Sequence, residues 1–70
     1  MTHDIADLPC PVQRAYRELG PHPDLYRVEA GHRFRAALRA NETQDTEAAI
    51  VFAGLALGFL TLHHRCNEAA

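Results

Sequence analysis

Ala48-Ala-Ile-Val-Phe-Ala-Gly-Leu-Ala-Leu-Gly-Phe-Leu-Thr-Leu62 runs for fifteen residues without a charge, in a chain of 70 residues of which 23% are charged. The acidic residues Asp45 and Glu47 precede it, and His63, His64 and Arg65 follow. That polarity suits a helix, with acids near its positive end and bases near its negative end. Fifteen residues of helix reach roughly 22 Å, short of the ~30 Å hydrocarbon core of a bilayer. A run of that length is expected to be a buried helix of a soluble protein rather than a membrane span. A helix apolar all round has to be covered on more than one side.

The segments before it are punctuated by proline and glycine. Pro9 and Pro11 frame Cys10, and Pro11 suits a first helical turn, where its missing N–H would go unpaired anyway. Val12, Ala15, Tyr16 and Leu19 then recur at helical spacing until Gly20-Pro21 stops the pattern. Pro23 and Asp24 begin a second helix, whose expected apolar stripe is Tyr26, Ala30, Phe34, Ala37 and Leu38. Leu25 and Val28 lie off that stripe, and Gly31 is a candidate kink. Asn41 is a candidate C-cap, and Thr43 or Asp45 a candidate N-cap for the third helix. The expected fold is all-α: an antiparallel three-helix bundle with helices at about 11–19, 23–40 and 44–65. It forms one domain over residues 1–70, with 1–10 as an extended or short-turn arm.

A chain of this size sits near the lower limit for folding alone. Burying ~6,900 Å² by size scaling, some 60% of it apolar, yields about 100 kcal/mol at ~25 cal/mol/Å². Ordering the chain at ~1.5 kcal/mol per residue costs about the same. Self-association is the simplest further source of stability, so a homodimer is expected. The pair Gly54 and Gly58, four apart on one face of the apolar helix, lets another backbone approach closely. With Ile50 and Leu62 one turn to either side, this pair is the candidate helix–helix or dimer contact.

The net charge of −2 argues against a strongly basic nucleic-acid binder. All of the basic residues other than histidine are arginine. His32, Arg35 and Arg39 share one side of the second helix, apart from Arg33, and form the candidate partner-binding face. A cationic stripe suits an acidic protein surface, or, as the rival reading, phosphate backbone. His63, His64 and Cys66 include ligand types for a metal, but a zinc site needs two ligand pairs at recognisable spacing and only one is present. No metal or cofactor is expected. With no export signal, Cys10 and Cys66 are expected as reduced thiols in the cytoplasm. No local motif orients a cysteine with a histidine base, so an enzyme is not expected. The function class that remains is a small helical protein-interaction module: a regulator, adaptor or inhibitor, of a size that fits a phage- or plasmid-borne blocker of a larger complex. A short single-span membrane protein is the other alternative.

Overall fold

The computed structural model describes residues 4–68. Over the described residues the protein is a small all-α bundle of three helices, α1 (Cys10–Leu19), α2 (Pro23–Glu42) and α3 (Thr46–Glu68). The first three residues of the expected arm and the last two of the tail lie outside the described residues.

Each boundary has a local cause. Pro9 precedes α1 with φ −57° and ψ 148°, and Pro11 lies in the first turn. Gly20 ends α1 at φ 74°, a left-handed conformation in which its N–H still donates to the Tyr16 carbonyl at 2.8 Å. Helix α2 is continuous through Gly31 and runs two residues past the expected end, to Glu42. The residue that turns the chain there is Gln44, at φ 62°, rather than Asn41. Its N–H and that of Asp45 donate to the carbonyls of Asn41 and Ala40, which closes α2. Asp45 then caps α3: its Oδ1 accepts from the Ala48 N–H at 3.1 Å. Helix α3 begins at Thr46 and not at 44 for this reason.

The long helices α2 and α3 form an antiparallel hairpin, and α1 lies across its base. The core is Leu8, Val12, Tyr26, Ala30, Phe59, Leu62 and Cys66, with Ile5 packed against it. Its members all belong to the base half. Helix α1 has 10 residues, about 15 Å of length, against 23 residues, about 35 Å, for α3. The molecule is accordingly elongated, 42 × 20 × 17 Å, with a radius of gyration of 12.4 Å where a compact chain of this size has about 11 Å. It exposes 4934 Å², against about 4,400 Å² from size scaling.

The arm is held by Asp7, whose carboxylate receives both terminal nitrogens of Arg65 at 2.8 Å, while Arg65 also donates to the Asp4 carbonyl at 2.9 Å. The guanidinium hydrogen bonds hold the Asp7 carboxyl at about 2, below its ordinary 3.8. A carboxyl lowered by folding stabilises fully above its unfolded value and loses that contribution as pH falls through the folded one. Urea titrations between pH 5 and pH 2 should therefore show wild-type stability falling more than that of Asp7→Asn. Parallel curves would mean that the pair adds nothing in solution.

Candidate functional site

The tip half of the hairpin is where the apolar surface is left uncovered. At the base, α3 is covered on two sides, by α2 and by α1. From about Gly54 towards Thr46 it has only α2. The expectation that this helix would be covered on more than one side is therefore met over the base half of its length. Ile50, Val51 and Leu57 stand 66%, 59% and 56% exposed, and Leu38 of α2 stands 65% exposed. Leu38 and Phe34 (39% exposed) were expected in the core stripe of α2. They lie about 120° and 80° around the helix from Tyr26 at 100° per residue, so only Tyr26 and Ala30 of that stripe reach full burial.

Two distinct surfaces result. On the side that α1 occupies, the groove between α2 and α3 runs on beyond the end of α1 to the tip. There it forms an open depression of about 370 Å³, with Ala36, Ala40, Ala48 and Phe52 as its apolar lining and Arg39 and Asp45 at its rim. Between this depression and α1, Arg33 lies with its guanidinium carbon 5.8 Å from the centre of the Phe59 ring and its Nη2 3.5 Å from Glu29 Oε2. On the opposite flank, Phe34 and Leu38 of α2 share a surface with Ile50 and Leu57 of α3.

The residues singled out from sequence divide between these places. His32, Arg35 and Arg39 are all exposed on α2, and among the described residues their side chains make no hydrogen bond or ion pair, with Glu42 or any other group. Arg39 reaches the rim of the tip groove, while His32 and Arg35 border a separate depression around Gly31. Gly58 is buried, and a Cβ built on it would come within 2.9 Å of Pro9 Cδ and 3.0 Å of Val12 Cγ2. It is the close approach of α1 to α3 within one chain. Leu62 is fully buried beside it. Gly54, four residues earlier, has nothing within 4 Å of such a Cβ, and Ile50 is open to solvent. The glycine pair is therefore split between an internal contact and a free surface. Sequence reasoning set Arg33 apart without giving it a role. Its position one turn after Glu29 and on the edge of the Tyr26 face was the available signal.

The histidine–cysteine cluster is accounted for by packing. A carbonyl only accepts, so His63 Nδ1 carries the proton that it donates to the Pro23 carbonyl at 2.7 Å, tying the end of α3 to the start of α2. The His64 ring leans on that of His63 at 5.1 Å. Cys66 is a buried free thiol, pushed up in pKa by that burial, and Cys10 is an exposed one. No group of metal-ligating side chains gathers among the described residues.

Helix α3 as formed is longer than its uncharged stretch. By length and composition alone it is sufficient to cross a bilayer, with a mean hydropathy of 1.5 over 18 residues, 22% of them buried. No family model, curated protein or solved structure matches the chain.

Proposed function

We propose that the chain is a soluble, cytoplasmic protein-binding module that receives an amphipathic helix of a partner protein in the tip groove. The observation that carries this reading is continuity. Beyond the end of α1, which packs on α3 at the base, the face between α2 and α3 continues as an open apolar depression along Ala36, Ala40, Ala48 and Phe52, so the hairpin offers a second helix a seat in line with α1. Arg39 and Asp45 at the rim supply one charge of each sign, enough to fix the direction of an incoming helix. A module of this size works by occupying a site on a larger assembly, as a regulator, adaptor or inhibitor.

A photo-crosslinking residue at Ala40, compared with one at Arg17, tests the groove in cells that express the chain. The Ala40 probe should give a discrete adduct with another protein that disappears in Ala48→Arg, a variant whose helicity by circular dichroism is unchanged. The same adduct from Arg17, or one indifferent to Ala48→Arg, would dismiss the groove as the binding seat. The exposed, unpaired His32, Arg35 and Arg39 favour a second reading, a phosphate-bearing partner on the outer face of α2. Its mark is binding that weakens steeply with salt and is lost in Arg35→Glu, Arg39→Glu.

A further inference from the structure

We infer that two copies of this chain associate through the flank opposite α1, antiparallel, with α2 on α2 and α3 on α3. The twofold axis lies level with Phe34–Arg35 and Ala53–Gly54. This surface is separate from the tip groove, which stays open on the outer side of each copy.

The argument is one of register. Helix α2 ends at Glu42 and α3 starts at Thr46, and Ala36 and Ala40 meet Phe52 and Ala48 around the groove. Leu38 is therefore level with Ile50, Phe34–Arg35 with Ala53–Gly54, and Gly31 with Leu57. On α2 the residues Arg27, Gly31, Phe34, Leu38 and Glu42 follow one another at three- or four-residue spacing along the exposed flank. Turned about an axis at Phe34–Arg35, this stripe sets Arg27 against Glu42 of the second copy, Gly31 against Leu38, and Phe34 beside its twin. On α3 the same axis sets Ile50 against Leu57 and Ala53 against Gly54. One axis position thus satisfies both helices, each interface residue meeting a complement and not its own kind except at the centre.

Shape and charge agree with that alignment. Leu38 projects, at 65% exposure. Its counterpart Gly31 lies in a depression of about 240 Å³ bordered by Arg27, Val28, His32 and Arg35, and a Cβ built there would touch nothing. At the centre of α3, Ala53 and the open Gly54 let the helix axes approach, while Ile50 and Leu57 fill the spaces above and below. Arg27 and Glu42 are both exposed, and neither has a hydrogen-bond or ion-pair partner among the described residues. Two helices about 30 Å long and 10 Å wide present a footprint of ~600 Å² per copy. That reaches the lower edge of the ~1,200–2,000 Å² total buried in stable complexes.

Light scattering and sedimentation of the full, untagged chain without detergent should give a mass twice 7.8 kDa at high micromolar concentration, falling on dilution. Arg27→Glu should weaken the dimer about tenfold, because two symmetry-related pairs become repulsive. Arg27→Glu with Glu42→Arg should restore it, since the swap returns both pairs. Leu38→Asp should give a monomer of unchanged helicity. A monomer at every concentration would overturn the inference and leave the flank to another protein. A dimer indifferent to Leu38→Asp and to the charge swap would equally overturn it, by placing self-association on another surface. Neither result bears on the Ala40 crosslink, so the groove and the flank stand or fall separately.

Discussion

Tyr26→Ala is expected to cost about 3–5 kcal/mol, the range for removing a large buried ring, which is most of what a domain this small has to lose. Tyr26 is fully buried, stacks on Phe59 with ring centres 6.2 Å apart and planes at 21°, and donates its hydroxyl to the Gly20 carbonyl. It therefore joins α2 to α3 by packing and to the corner after α1 by a hydrogen bond. Tyr26→Phe keeps the first and removes the second, and should cost only about 1 kcal/mol. Urea unfolding followed by circular dichroism, at one fixed protein concentration, gives both numbers. Burial holds the Tyr26 hydroxyl at about 12 against an ordinary 10.0. A hydroxyl raised in this way stabilises the fold fully below pH 10 and loses that contribution as pH rises through 12. Wild type should thus weaken over that interval more than Tyr26→Phe. If Tyr26→Ala cost no more than Tyr26→Phe, the ring would not be a core element.

The helices were legible because proline and glycine mark their ends. Pro11, Gly20-Pro21 and Pro23 each restrict the backbone by their own covalent structure, so their effect is local and survives without knowledge of the fold. The α2–α3 corner was less legible. The left-handed residue there is Gln44, and no propensity singles out a glutamine for that conformation over the neighbouring Asn41. Burial was legible only in part, since periodicity says which residues share a face and not how far along the helix a neighbour extends. Leu38 and Tyr26 look alike in the stripe, yet one is 65% exposed and the other fully buried. The difference is that Tyr26 faces α3 at the level of α1 and Phe59, whereas Leu38 lies about 120° around the helix from it and beyond the reach of α1. The unequal helix lengths were the signal for a half-covered hairpin, and they sat in the sequence from the start.

The candidate surfaces follow from that same inequality. A third helix as long as the other two would have filled the tip groove and left a closed bundle. The short one secures the base, where Tyr26, Leu62 and Val12 reach complete burial. It leaves the tip as a two-helix hairpin, which is not stable in isolation as a rule and is held here by its continuity with the base. Binding surface and marginal stability are thus two consequences of one feature. A partner helix in the groove or a second copy on the flank adds burial where the single chain has least.

Gly58→Ala and Gly54→Ala, made separately, should shift stability in opposite directions although they are the same substitution in the same helix. Alanine is favoured over glycine inside a helix by about 0.8–1.0 kcal/mol. At Gly54 nothing stands within 4 Å of the new methyl group, so in dilute solution that gain should appear nearly whole. At Gly58 the methyl group would sit 2.9 Å from Pro9 Cδ and 3.2 Å from Pro9 Cγ, both in a rigid ring, and 3.0 Å from Cγ2 of the fully buried Val12. Neither neighbour can yield as a flexible side chain would, so the arm and the start of α1 must move outward. Overpacking of this kind costs typically 1–3 kcal/mol, which exceeds the propensity gain, and a net loss of about 1 kcal/mol is expected. The movement should also be visible directly, as faster exchange of the Val12 and Gln13 amides, which donate to the Pro9 carbonyl at 3.0 Å. If Gly58→Ala instead stabilised the chain as Gly54→Ala does, α1 would not be seated on α3. The base would then be as open as the tip, and the groove would run the full length of the hairpin.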